Sequence, residues 1–258
     1  VPRFDASSDD VDILAFLHDV ADAAADTLDE AADWSETGGH DGQYAGDVLV
    51  DDVITDLLDA AGFAVLSEES GMGDWDRTGG QLLAVVDPVD GSTNAAKGLP
   101  WYATSLCIVD ADGPRVALVA EQSGSETRYS AIRGQGARCD GTRIDPSGLK
   151  DGSRAVVGVN GPLSPGHGWW QVRTLGAAAL DISLVAKGAL DGYVDTVGHG
   201  CWDYLAALLV CREAGAIVVD ALGRNIVVLD PDERRMPLAA GSAEMLESVR
   251  RAWAASRP

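Results

Sequence analysis

The chain has 258 residues, 46% of them hydrophobic, and carries 41 acidic against 19 basic side chains, a formal charge of −22. That length and apolar content suit one large or two modest globular domains with real cores, while the charge speaks against a nucleic-acid partner, since a polyanion is repelled wherever no local basic patch intervenes. No apolar run approaches eighteen residues, and Val1 to Asp10 lacks the basic-then-apolar order of a signal peptide, so a soluble, cytoplasmic protein that engages no membrane is expected.

The only basic doublets are Arg234-Arg235 and Arg250-Arg251, and only Lys97, Lys150 and Lys187 are lysines, which fits either biased codon usage or adaptation to high salt. Cys107, Cys139, Cys201 and Cys211 form no C-x-x-C pair and no disulfide framework.

In chain order, Leu14, Leu17, Ala21, Ala24, Leu28 and Ala31 recur at helical spacing and predict an amphipathic helix from Asp9 to Ala32. A Gly-, Asp- and Ser-rich stretch follows. A second helix is expected over Val48 to Ala61, stopped by Gly62, then a short strand over Phe63 to Leu66. Strands follow at Leu82 to Val86, Ala103 to Val109, Arg115 to Ala120 and Thr127 to Ile132, with Asp112-Gly113 as a hairpin turn that makes this sheet partly antiparallel. The Pro, Ser, Gly and Asp cluster from Asp145 to Gly152 marks a boundary between an N-terminal α+β lobe, residues 1–145, and a C-terminal α/β lobe, residues 146–258. That lobe alternates: strand Ala155 to Val159, helix Ala177 to Ala186, strand Gly192 to Val197, helix Asp203 to Ala214, strands Ala216 to Val219 and Pro237 to Ala240, helix Ala243 to Ala255. Such alternation predicts a layered α/β arrangement.

The chemistry concentrates in Asp87-Pro88-Val89-Asp90-Gly91-Ser92-Thr93-Asn94, directly after an apolar strand. Carboxylates there suit a hard cation such as Mg²⁺, and amides with a hydroxyl at a helix start suit a phosphate. Two further acidic clusters also lie where an element ends or begins, Ser67-Glu68-Glu69-Ser70 and Trp202-Asp203. Ligands in α/β sheets gather at strand ends, so these clusters can meet there. Alone, each has a bland alternative: Glu68-Glu69 could be a solvated turn, Asp203 an N-cap, and Asp90-Gly91 a plain turn. The Asp-Pro-x-Asp-Gly-Ser order asks for more than a turn requires.

These blocks, with Arg173-Thr-Leu-Gly176-Ala-Ala-Ala-Leu-Asp181 and Leu190-Asp-Gly-Tyr193, resemble the inositol monophosphatase-like metal-dependent phosphatases over most of the chain, in the family's order. The resemblance implies an αβαβα sandwich and Mg²⁺, two or three ions per site, with frequent inhibition by Li⁺. It implies metal ligation by Glu68, Asp87, Asp90, Asp203 and the Val89 carbonyl, and a water oriented by Ser92 with Glu68. Phosphate would meet the amides of Gly91 and Ser92. The substrate's remainder would meet Asp90, Gly176, Ala177, Asp195 and Asp203, with Asp195 as the acidic contact to its hydroxyls. The family's Asp-x-Val-Thr-x-x-Asp block has as its counterpart Asp47-Val-Leu-Val-Asp51-Asp52, without the threonine. Asp47 is the best match for its first, catalytic aspartate, with Asp51 and Asp52 as alternatives. The preceding loop, Ser35 to Tyr44, has no lysine, and its His40 could bind metal or be merely solvated.

The expected partner is a small phosphorylated substrate, inositol 1-phosphate first, with fructose 1,6-bisphosphate, histidinol phosphate or a nucleotide 3′-phosphate as alternatives. A regulatory or scaffolding protein with a vestigial site is the competing class, since some bacterial relatives bind the transcription machinery. The family is commonly dimeric, and Trp169-Trp170 could lie at a homodimer interface or in the core.

Overall fold

The computed structural model describes residues 1–39, 42–76 and 79–257; His40 lies outside them. Two helices come first, α1 (Asp10–Glu30) and α2 (Ala45–Ala60). Asp9 caps α1, its carboxylate accepting from the Val11 amide at 2.8 Å. The inward stripe of α1 is Ile13, Phe16, Leu17, Val20, Ala21 and Ala24, so the helix is turned slightly from the expected face. Leu14 and Leu28 border the core, whose centre is taken by Ile13, Phe16, Leu17 and Val20.

The first sheet is built from β1 (Ala64–Ser67), β2 (Gly71–Met72) and β3 (Leu83–Asp90), then, after helix α3 (Ser92–Lys97), from β4 (Ala103–Asp110), β5 (Gly113–Glu121), β6 (Arg128–Ile132), β7 (Ala137–Cys139) and β8 (Thr142–Arg143). Its strand order is β2-β1-β3-β4-β5-β6-β7-β8, parallel only between β1 and β3. The second sheet holds β9 (Val156–Asn160), β10 (Gln171–Arg173), β11 (Gly192–Asp195), β12 (Ile217–Asp220) and β13 (Pro237–Ala240), in the order β10-β9-β11-β13-β12. Helices α4 (Ala178–Ala186), α5 (Cys201–Ala214) and α6 (Ala243–Ala255) complete the chain.

Layering follows from which faces are apolar. Helices α1 and α2 cover one face of the first sheet, α4 and α5 fill the space between the sheets, and α6 covers the far face of the second. This is the αβαβα sandwich. Helix α5 needs almost no polar side, because it has a sheet on each flank; from Cys201 to Cys211 only Asp203 is not buried. The tryptophan pair splits: Trp169 is buried, its indole N–H donating to Ser248 Oγ at 2.9 Å, whereas Trp170 is exposed. All four cysteines are buried and free. No helix among the described residues is long and apolar enough to cross a membrane.

Candidate active site

Sheet register brings the first two acidic clusters together. Strands β1 and β3 run parallel with Ser67 opposite Val86, so the next residues, Glu68 and Asp87, lie side by side; the Glu68 amide donates to the Val86 carbonyl at 3.1 Å. Asp87 and Asp90 are three residues apart, an odd spacing that would put them on opposite faces of a regular strand. Asp87 stays in the sheet on its other side: it pairs with Ser105 and Asp90 with Ala103, so β3 carries one extra residue over that interval. This bulge restores the parity and lets both carboxylates serve one side.

The third cluster arrives from the other half of the chain. Ser105, opposite Asp87, donates its hydroxyl to the Trp202 carbonyl at 3.0 Å and so pins the start of α5 to β4. Asp203 is not the N-cap, a place held by Gly200; it sits in the first turn, where the helix dipole favours an anion. Glu68, Asp87 and Asp203 each offer an oxygen within 4.8 Å of the other two. Asp90 stands outside this triad: its two oxygens accept from the Ala178 and Ala179 amides at 2.9 and 2.7 Å and cap α4. Each still has a second lone-pair direction.

Gly91 adopts φ 92°, and a Cβ there would meet the Trp101 carbonyl at 3.0 Å and the Gly176 carbonyl at 3.1 Å, so no side chain fits. Asn94 locks the same corner, its Nδ2 donating to the carbonyls of Trp101 and Leu175, each at 2.8 Å. The resulting cavity, about 200 Å³, is lined by Glu68, Asp87, Val89, Asp90, Gly91, Ser92, Gly176, Ala177 and Asp203, all expected from sequence. Thr93, Asn160, Ala178, Asp181, Tyr193 and His199 join them. Asp181 and Tyr193 belong to the blocks that carry the resemblance, so their positions were signalled if not their exposure to the cavity; nothing in the spacing of Asn160 or His199 marked them.

Two expected residues lie elsewhere. Asp195 is fully buried beneath the wall, its Oδ1 accepting from Asn160 Nδ2 at 2.9 Å and from the Val197 amide at 3.1 Å. Asp47 is buried in the first turn of α2, where a carboxylate oxygen accepts from the Tyr44 amide at 3.0 Å, and it does not line the cavity. Asp51, the alternative, is also internal: it accepts from the Ser67 hydroxyl and ties α2 to the end of β1. Asp52 is exposed.

Electrostatically the site is strained without a counter-ion. Burial first, then the charges of Asp203, Glu69 and Asp90, raise Glu68 well above the usual carboxylate range. Burial and the Glu68 charge do the same to Asp87. Asp90 is pushed up to about 8 by burial and by Asp203, against the pull of its two amide donors. Burial lifts Asp181 to about 7, although the Trp101 indole N–H donates to it at 2.8 Å. For His199 burial works downward, but the Asp203 and Asp195 carboxylates outweigh it and lift the imidazole to about 9. Asp87 Oδ2 is buried and has no hydrogen-bond partner. An orphaned carboxylate oxygen beside two others, all hard donors, fits a divalent cation such as Mg²⁺.

A five-layer sandwich with such a carboxylate centre beside a tight, small-residue turn defines a phosphate-ester enzyme of the metal-dependent kind. Residues 10–254 match the sequence profile described as the inositol monophosphatase family, and the chain belongs to that family. It is 33% identical over 209 residues to a fructose-1,6-bisphosphatase of Pyrococcus furiosus, covering 79% of this chain and 80% of that one. It is 29% identical over 245 residues to Nus factor SuhB of Escherichia coli, covering 86% and 90%. Among solved structures, a hypothetical protein of Pyrococcus horikoshii with similarities to inositol-1 monophosphatase superposes with a TM-score of 0.79 at 27% identity, over 93% of this chain and 98% of that one. The protein is thus a phosphatase of a family that depends on Mg²⁺ in general.

Proposed function

We propose that the chain hydrolyses the monophosphate ester of a small sugar or polyol, inositol 1-phosphate first, with Glu68, Asp87, Asp90, Asp203 and the Val89 carbonyl holding Mg²⁺. The observation that carries this is the convergence of Glu68, Asp87 and Asp203 within 4.8 Å, with a buried Asp87 oxygen left unbonded. When bound, the cation acidifies water, neutralises phosphate charge and steadies the departing oxygen. The protein's own part is positioning. The Ser92 hydroxyl and the Glu68 carboxylate hold the attacking water, and the Gly91 and Ser92 amides receive phosphate oxygens at a turn whose shape Gly91 and Asn94 fix. The buried carboxylates keep the site short of counter-charge until the cation arrives, which couples its binding to local order.

Hydrolysis of inositol 1-phosphate, fructose 1,6-bisphosphate, histidinol phosphate and a nucleotide 3′-phosphate, measured with Mg²⁺ and with or without Li⁺, tests this reading. Turnover of the inositol ester that Li⁺ suppresses is expected, and no turnover of any of the four would sink it. The likeness to the proteins named Nus factor SuhB supports a second reading, a regulatory role on the same fold. Loss of hydrolysis in Asp203→Asn with partner binding preserved would allow both. Homodimerisation belongs to the same proposal, and light scattering checks it.

A further inference from the structure

We infer that Asn160, not Asp195, is the residue that reads the hydroxyls of the leaving group, and that Asp195 acts on substrate only by orienting Asn160. The inference rests on the phosphatase reading above and names the specificity determinant of that same cavity. Asn160 ends β9 and Asp195 ends β11, and the two are register partners in parallel strands. Asn160 lines the cavity, whereas Asp195 is 0% exposed behind it.

The direction of the Asn160 amide follows from its neighbour. Asp195 Oδ1 already accepts from the Val197 amide, so it is an acceptor, and the Asn160 atom 2.9 Å away must be its N–H group. The same Nδ2 lies 3.1 Å from His199 Nε2. With its nitrogen turned inward on Asp195, Asn160 keeps Oδ1, which has no partner among the described residues, for the cavity. A neutral carbonyl oxygen in a wall shared with Tyr193 and His199 suits a hydroxyl donor. It offers nothing to a second phosphate, whose oxygens are acceptors as well. At this position the wall therefore takes a hydroxyl of the leaving group rather than a second phosphate.

Comparing two esters tests this: inositol 1-phosphate, whose leaving group carries hydroxyls, and p-nitrophenyl phosphate, whose leaving group carries none. Losing one neutral hydrogen bond corresponds to about a fivefold change. Asn160→Ala is expected to raise KM for the inositol ester about that much with kcat held, and to leave kcat/KM for the aryl ester unchanged. Asp195→Ala, which removes the acceptor that orients Asn160, is expected to reproduce the selective effect, and the double variant to add little, because both act through one amide. Asn160→Ser and a thermal melt of each variant guard against misfolding. Equal losses on both esters, or none on either, would overturn the role of Asn160, and an additive double variant would overturn that of Asp195. Failure of the wild-type protein to hydrolyse either ester would overturn instead the phosphatase reading beneath it.

Discussion

Replacing Asp87 by Asn should stabilise the metal-free protein and abolish its function, two effects of opposite sign from one atom. Glu68, Asp87 and Asp203 present oxygens within 4.8 Å of one another, with burial adding to their repulsion. At 4.8 Å and an effective dielectric constant of about 20, one pair of full charges costs ~3.5 kcal/mol. Proton uptake by the raised carboxylates relieves part of this, so a gain of about 1–3 kcal/mol at pH 8 is expected for the variant. For a chain of this size that is a melting-temperature rise of roughly 2–6 °C. The amide keeps the local fold, since its oxygen can still accept from the Val89 amide as Asp87 Oδ1 does at 3.1 Å. The assay is calorimetric melting in EDTA and again in saturating Mg²⁺. Wild-type protein should gain ~2–3 kcal/mol from Mg²⁺ at about a hundred times its dissociation constant, and the variant far less. A variant that melts below wild type in EDTA, or that keeps the full Mg²⁺ response, would refute the assignment.

Asp181 gives a pH signature away from the acidic triad. Its carboxyl rises from the ordinary 3.8 to about 7, so the folded state holds a proton that the unfolded state has released across that interval, and stability is lost as pH climbs through it. Asp181→Asn keeps an acceptor for Trp101 and removes the slope; unfolding in urea should show variant and wild type nearly equal at pH 4 and the variant ahead at pH 8, by at most ~4 kcal/mol. A variant less stable at pH 8 contradicts the protonated state. Gly91→Ala forces a side chain into φ 92° against the Trp101 and Gly176 carbonyls, at a cost of about 1–3 kcal/mol. Turnover should fall with it, and wild-type melting and kinetics in this variant would show that the turn is not held as tightly as its contacts imply.

How much of this was legible in the sequence depended on what each signal had to reach. The long helices and β3 to β6 announced themselves by period and by turns, whereas β2, β7, β8 and β10 are two or three residues long and have no period to read. Glu68, Asp87, Asp90, Gly91, Ser92 and Asp203 stand out because strand ends and tight turns constrain local sequence. Asp195 does not obey that logic: a carboxylate at a strand end can point into a cavity or lie one layer beneath it, and only the pairing of β9 with β11 decides. Asp47 is similar, since a helix-start aspartate can cap its own backbone without lining the cavity, as it does here beside Tyr44.

The five-layer arrangement was expected from the family resemblance, and α5 supplies its physical reason: a Leu- and Ala-rich helix without a polar face, buried between sheets on both sides. That helix also explains why the two halves make one site. Asp203 is placed by the core packing of α5 against β3, β4 and β5, by one hydroxyl from Ser105 and by His199 just before the helix, with Nδ1 3.4 Å from the Asp203 carboxylate. A change that loosened α5 within that layer would therefore move Asp203 away from Glu68 and Asp87 while leaving every carboxylate intact. Conservation of the acidic residues alone would not preserve the centre; the apolar helix that carries Asp203 is as much a part of it.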